Sequence, residues 1–228
     1  MIDLVALDMA GTTIDEHGAV YVALQQAVEA EGTPVSEEAV QRWMGTDKRE
    51  AMVGLTAEGG RPRPSPADVE RMYGRFRELL AGAYAATPPR PIAGAPEAFA
   101  MLRERGVKVA LTTGFSRDVA DPLLESLGWS EGTVDAVVCA DEVPAGRPAP
   151  YLIFRAMEKT GAVDVGRVLV AGDTVADLQA GTNAGVAAVV GVATGKLGFA
   201  ELGGQPHTHL LASVADLPAL VVELSAPR

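Results

Sequence analysis

The residues best placed to do chemistry begin at Asp8, where the apolar run Val5-Ala6-Leu7 ends on a carboxylate and the chain turns through Gly11 into Thr12 and Thr13. An ion at the mouth of a buried strand needs partners, so an acid there is a poor structural choice on its own. A second strand pattern runs out through Ala171-Gly172-Asp173-Thr174-Val175-Ala176-Asp177, with two carboxylates four residues apart. Asp8 with Asp173 makes a hard oxygen site, which suits Mg²⁺ better than zinc, an ion that favours His or Cys. Leu111-Thr112-Thr113-Gly114 ends another strand in hydroxyls and opens a helix, whose free amides can seat a phosphate. Gly146-Arg147-Pro148, at the start of a further helix, adds a guanidinium for phosphoryl oxygens. In this company Asp8 is placed to attack phosphorus and form an aspartyl-phosphate.

Each of these residues has a plainer reading. Asp8 alone is a strand-end turn acid, Thr113 a helix cap, and Arg147 a counter-charge for Asp141 and Glu142. Asp177 orients a metal's water shell or caps local amides, and Asp15 fixes the hinge into the segment that follows. His207-Thr208-His209 lacks further ligands and reads as surface. What favours the chemical reading is that four motifs, far apart in sequence, would fall at one edge of one sheet.

That sheet is predicted from alternating strand and helix patterns beyond about residue 92. Strands are expected at 4–7, 107–112, 136–139, 168–171 and 187–192, with a short one near 210–211. Helices are expected at 96–105, 117–127, 150–160 and 175–184. The motifs then lie past the carboxyl ends of the strands, where open α/β sheets bind ligands. Residues 17–88 break the alternation. Tyr21, Leu24 and Val28 have helical spacing, as do Val40, Trp43 and Met44. Ser65-Pro66-Ala67-Asp68 is a helix start that places Val69, Met72, Phe76 and Leu79 on one stripe. The expected architecture is a doubly wound, Rossmann-like parallel α/β core (1–16 and 89–228) with an inserted all-helical cap (17–88).

Composition removes several function classes. A net charge of −11 over 228 residues, with no basic patch, argues against nucleic acid. No apolar run approaches a bilayer span, and Met1 leads directly into a strand pattern without a signal segment, so no membrane role and a cytoplasmic location are expected. The single cysteine, Cys139, ends an apolar run and reads as a buried, inert thiol.

In this order, with a helical insertion after the first, the four motifs resemble the haloacid dehalogenase superfamily of phosphotransferases. Most phosphatases of that superfamily carry Asp where this chain has Ala10. The D-x-A-G-T-T opening with G-R-P is instead similar to its phosphonatase-like subgroup, the phosphonoacetaldehyde hydrolases and close relatives. The resemblance implies a Mg²⁺-dependent hydrolase with Asp8 as nucleophile and with Asp8, the backbone carbonyl of Ala10 and Asp173 holding the metal. It further implies that Thr12, Met44, Gly45, Thr113, Gly114 and Arg147 hold the substrate, with Arg147 also catalytic and Asp177 behind the metal ligands.

The absent acid has a physical explanation within that resemblance. Cleaving a phosphate ester releases an alkoxide that needs a proton, whereas cleaving a carbon–phosphorus bond releases a carbanion that needs an electron sink. A protonated imine on a lysine is such a sink. Lys48, one of only four lysines, stands in an M-G-x-x-K pattern similar to the subgroup's imine-forming cap loop. Arg cannot replace it, and Arg42 and Arg49 are expected to depress its pKa by repulsion. The subgroup's histidine three residues past the lysine is Ala51 here, Glu16-His17-Gly18-Ala19 lacks its cysteine, Phe115 replaces its Tyr, and the cap is shorter. The substrate class implied is therefore a small 2-oxoalkyl phosphonate other than phosphonoacetaldehyde. The alternatives are a phosphomonoesterase acting on phosphoglycolate or a sugar phosphate, and a non-catalytic metabolite-binding protein. A homodimer through the cap helices is open.

Overall fold

The computed structural model describes residues 1–129 and 132–226. Its centre is a six-stranded parallel sheet made of β1 (Leu4–Asp8), β4 (Lys108–Thr112), β5 (Ala136–Val138), β6 (Val168–Gly172), β7 (Ala188–Val192) and β8 (His209–Leu211), in the order β5-β4-β1-β6-β7-β8. β1, β6 and β7 are buried along their whole lengths, as parallel strands covered on both faces must be. The pleat sorts β1 by face. Leu4 and Ala6 pack with Leu152, Ile153 and Ala156 of α7 (Tyr151–Thr160) and Ala180 of α8 (Val175–Ala184). Val5 and Leu7 join Phe99 of α5 (Ala95–Glu104), Leu123 of α6 (Arg117–Ser126) and Leu220 of α10 (Leu217–Ser225). The short α9 (Phe199–Gly203) covers β7 through Leu202.

The chain leaves β1, builds β4 and β5 on one side, and returns to β6, β7 and β8 on the other. The order thus reverses at β1, which opens a crevice at the carboxyl ends of its neighbours. Register places Asp8 opposite Thr112 and Leu7 opposite Ala171, so the strand-end residues arrive side by side.

Between β1 and this core lie four helices, α1 (Ala19–Glu29), α2 (Glu37–Arg42), α3 (Lys48–Glu58) and α4 (Pro66–Ala86). α1 turns Val20, Leu24 and Val28 onto α4, whose buried stripe is Val69, Met72, Tyr73, Phe76 and Leu80. The expected Leu79 is only partly buried, because the stripe advances by four residues to Leu80. α4 starts as its sequence demands. Ser65 Oγ accepts from Asp68 N at 3.2 Å, and Asp68 Oδ2 accepts from Ser65 N at 3.0 Å.

The sequence reading missed α9, α10 and a short ribbon. β2 (Ile14–Asp15) and β3 (Arg90–Pro91) form a two-stranded antiparallel ribbon that ties the chain entering the helical region to the chain leaving it. Arg90 Nη2 donates to Asp15 Oδ2 at 2.9 Å across it, and His17 and Gly18 follow at φ of 58° and 74°. Asp15, expected to fix the hinge, is thus paired across this ribbon. Two further expectations are corrected. Arg147 lies in the loop before α7, which begins only at Tyr151. Lys48 is no loop residue but the first of α3, capped by Asp47 Oδ1 accepting from Glu50 N at 2.9 Å.

Because the Ser65 cap satisfies amides that are otherwise exposed helix-end donors, Ser65→Ala is expected to lower unfolding free energy by about 1 kcal/mol. Urea denaturation checks this, and an unchanged midpoint contradicts the capping account.

Candidate active site

Asp8 stands at the end of β1 because the strand's apolar register stops there, and the next residues fold into a tight turn. Ile14, Thr13 and Thr12 amides all return to the Met9 carbonyl, and Ala10 is bridged to Ile14. Gly11 carries the turn at φ 88°, where a Cβ would fall 2.4 Å from Asp173 Oδ2. Both its conformation and the close approach require glycine. Thr12 Oγ1 donates to Asp173 Oδ1 at 2.7 Å, and Thr13 Oγ1 to the Asp8 carbonyl at 2.9 Å. β6 delivers Asp173, and α8 delivers Asp177 from its first turn.

Asp8, Asp173 and Asp177 are buried, and each offers an oxygen within 4.8 Å of the others. Three carboxylates in so small a dry space repel one another and lose hydration. Burial, with the charges of Asp8 and Asp177 added, holds the Asp173 carboxyl well above the usual carboxylate range. Burial also pushes Asp177 up to about 6, against the pull of Arg147. Asp177 has two jobs. Its Oδ2 accepts from Thr174 N at 3.1 Å as a helix cap, while its Oδ1 meets Arg147 Nη1 at 2.9 Å.

Among the described residues, Arg147 is the one cation inside this cluster. Its Nη1 donates to Asp8 Oδ1 at 2.5 Å and to the Gly45 carbonyl at 3.3 Å, and its Nη2 to Thr112 Oγ1 at 2.7 Å. The acids Asp141 and Glu142 are served by Arg117 instead, whose backbone N donates to Asp141 Oδ1 at 3.2 Å and whose Nη2 donates to Glu142 Oε1 at 2.7 Å. Arg147 therefore belongs to the site and not to that pair. Thr113 is buried, and its Oγ1 accepts from Phe115 N at 3.1 Å; it caps this turn, four residues before α6 begins.

The helical region reaches the site through Met44-Gly45-Thr46-Asp47-Lys48. Gly114 lets it come close, since a Cβ there would stand 2.3 Å from the Thr46 carbonyl, and a Cβ on Gly45 would stand 2.3 Å from Thr174 Oγ1. Met44 is buried at this seam. Lys48 is 4 % exposed, donates from Nζ to the Thr46 carbonyl at 2.9 Å, and lies 5.4 Å from the Phe115 ring centre. Burial lowers its pKa below the ordinary lysine value; Asp47 and Asp8 oppose that shift and Arg147 adds to it. The expected repulsion from Arg42 and Arg49 is not the cause. Arg42 is paired with Glu58, and Arg49 with Glu70 while stacked over Tyr73.

Beside Asp173 a cleft of about 610 Å³ opens between helices and core, with Glu16, Tyr21, Gln25, Thr194 and Gly195 among its walls. An ion pair of Lys196 with Glu37 spans it from the β7 loop to the first residue of α2. Sequence reading missed this wall. Thr194 Oγ1 donates to the Gly11 carbonyl at 2.6 Å, and a Cβ on Gly195 would stand 1.8 Å from Asp173 Oδ2. The signal was present, because Val192-Ala193-Thr194-Gly195 repeats the strand-end hydroxyl and glycine of Leu111-Thr112-Thr113-Gly114.

The raised Asp173 and Asp177 values carry a stability consequence. A carboxyl whose folded pKa exceeds its unfolded one stabilises the fold below the unfolded value, and that contribution is lost as pH rises through the folded value. Metal-free protein is therefore expected to melt several degrees lower at about pH 7.5 than at about pH 5. A divalent cation should recover most of the loss at the higher pH only. Melting curves indifferent to both variables contradict the carboxylate account.

Comparison with known proteins agrees with this geometry. Residues 2–185 match the profile of the haloacid dehalogenase-like hydrolases. A phosphonoacetaldehyde hydrolase of Bacillus cereus is 34 % identical over 215 residues, covering 89 % of this chain and 78 % of that protein. A hydrolase structure from Pseudomonas syringae superposes with a TM-score of 0.87 at 23 % identity, over 99 % of this chain and 100 % of its own. A phosphonoacetaldehyde hydrolase-like protein from Oleispira antarctica gives 0.81 at 24 % identity, over 98 % and 92 %. The two structures, at such identities, speak to the fold alone. No helix among the described residues is long and apolar enough to cross a membrane. With its six-stranded parallel core, its helices inserted after β1 and its buried carboxylate group, the chain belongs to the haloacid dehalogenase-like hydrolases and is related to phosphonoacetaldehyde hydrolase.

Proposed function

We propose that this chain is a Mg²⁺-dependent hydrolase that breaks the carbon–phosphorus bond of a small 2-oxoalkyl phosphonate through an imine on Lys48 and a phosphoryl ester on Asp8. The observation that carries the reading is the pairing of Ala10, which puts no carboxyl in the turn after Asp8, with a buried, inward-turned Lys48 of lowered pKa.

The donor set fits a hard divalent cation. Among the described residues three carboxylates meet there without imidazole or thiol, and two of the three are held above their ordinary range by burial, with their neighbours' negative charge added. Asp8 and Asp173 would hold the ion, with the Ala10 carbonyl beside them and Asp177 behind. It would supply charge neutralisation to the phosphoryl group and the attacking carboxylate.

The chain's own residues supply the rest. The neutral Lys48 amine adds to the substrate carbonyl, and uptake of one proton from solvent with loss of water leaves a protonated imine. Asp8 attacks phosphorus, the carbon–phosphorus electron pair moves into the imine to give an enamine, and the phosphoryl group stays on Asp8. The enamine takes a proton on carbon from solvent to become an imine again, and water then frees phosphate from Asp8 and the ketone from Lys48. Thr12, Thr113, the Gly114 turn and Arg147 seat the phosphoryl oxygens, with Arg147 releasing Asp8 to do so. Burial beside the Phe115 ring keeps the Lys48 amine dry, which favours its neutral form.

Borohydride added with a 2-oxoalkyl phosphonate is expected to trap substrate on Lys48, found by peptide mass, and Lys48→Arg is expected to cost at least about 100-fold in phosphate release. Full turnover in that variant rejects the imine. Ala10→Asp restores an acid beside the nucleophile, so it should raise phosphate-ester hydrolysis on the order of tenfold or more. Wild-type protein that already releases phosphate faster from esters than from oxo-phosphonates would make it a phosphomonoesterase. No release from either class, with or without Mg²⁺, would make it a binding protein.

A further inference from the structure

Lys48 owes its place to the first turn of α3, and the residue after it ties that turn to the core. Arg49 Nε and Nη2 donate to Glu70 Oε1 and Oε2 at 2.6 and 3.1 Å, and the guanidinium stacks 3.6 Å from the Tyr73 ring centre. Its remaining arm, Nη1, donates to Ser116 Oγ at 3.1 Å. Glu70 and Tyr73 belong to α4, whereas Ser116 immediately precedes α6 of the core. Two consecutive residues of the helical region thus meet two consecutive residues of the core. Lys48 lies against Phe115, and Arg49 holds Ser116.

Ser116 does not serve its own helix. A serine before the first turn ordinarily accepts from one of that turn's amides, but Ser116 makes no such bond. Asp141 takes the place, its carboxylate accepting from Arg117 N at 3.2 Å. The buried Ser116 hydroxyl is left for Arg49. Outside this bridge lies a cleft of about 570 Å³, with Asp47, Arg49, Ser116, Arg117 and Gly146 among its walls. Lys48 sits between two of those residues in sequence, yet it is itself buried. The charge of Arg49 is matched by Glu70, so what it does to the amine is a matter of placement.

We propose that Arg49 is a positioning residue for Lys48: through Ser116 it fastens the start of α3 to the core and keeps the amine in the seam, shut off from the outer cleft. As a functional assignment this rests on the imine reading; the placement of the amine does not. A lone half-exposed pair would be a weak fastener. Here one planar fork joins three partners, and two of them, Tyr73 and Ser116, are buried. With the bridge broken, the first turn of α3 can lift, water reaches the amine, and its alignment with a carbonyl carbon is lost.

Trace acetylation with acetic anhydride at about pH 9, read by peptide mass, reports the access of each lysine, with Lys108 and Lys159 of the core as references in the same molecule. Arg49→Gln and Ser116→Ala should each raise labelling of Lys48 on the order of tenfold against those references, and the double variant should go no further. Labelling that stays at the wild-type level in both variants overturns the proposal. An effect in one variant only, or additive effects in the double variant, overturns the bridge through Ser116. Borohydride trapping of a 2-oxoalkyl phosphonate should lose maximal rate on the order of tenfold in Arg49→Gln at an unchanged half-saturating concentration, because the phosphoryl seat is intact. An unchanged maximal rate, or a change confined to half-saturation, overturns the positioning role. Wild type that traps nothing overturns the imine reading alone, and the labelling still decides how the amine is held. If thermal melting shows Arg49→Gln unfolded, Ser116→Ala, which removes a single hydroxyl, decides by the same labelling.

Discussion

Three carboxylates forced into one dry space are the constraint around which the site is organised. Ionised acids a few ångströms apart are tolerable only with a cation between them. Arg147 supplies one, reaching Asp8 and Asp177 from the same nitrogen and Thr112 from the other. A guanidinium suits this because its fork meets several oxygens at once and never gives up its proton. Burial first, and the charge of neighbouring carboxylates after it, still hold Asp173 and Asp177 above the usual range. Such a buried carboxylate group is consistent with a metal site of the haloacid dehalogenase-like hydrolases.

The same crowding explains the glycines. Gly11 and Gly195 press backbone against Asp173, and Gly114 and Gly45 press the helical region against the core. Closure of this seam is what turns Lys48 inward. Arg77 and Tyr73 of α4 meet Asp118 of α6 at 2.5 and 2.9 Å, and Arg49 reaches Ser116 at 3.1 Å, so polar contacts ring an apolar seam. These are exposed or half-exposed pairs worth little individually. They set the registry of the two parts, while burial and the Phe115 ring set the environment of the amine.

Much of this was legible in the sequence because buried parallel strands are continuous apolar runs and their ends carry the motifs. Asp8, Thr113, Arg147, Asp173 and Asp177 were found that way, and the structure brings them to one sheet edge. What escaped was short or nonlocal. The β2–β3 ribbon has two residues per strand, too few to show a period. The bond from Arg147 to Asp8 spans 139 residues, so its use as an internal counter-charge could not be read locally. The start of α3 was readable and passed over: Asp47 with Glu50 three residues on is a helix-start signature. Glu16 was noticed only for not being a cysteine, because burial of a carboxylate leaves no mark on its neighbours in sequence.

The central claim is that carbon leaves phosphorus with its electrons drawn into an imine, and the fate of the carbonyl oxygen tests it. Turnover of a ketonic 2-oxoalkyl phosphonate in ¹⁸O-water, read by mass spectrometry and corrected for spontaneous exchange, should place solvent oxygen in the ketone at every catalytic cycle. A ketone that keeps its original oxygen while phosphate is released would show that no imine forms, and Lys48 would have to be read as a structural charge.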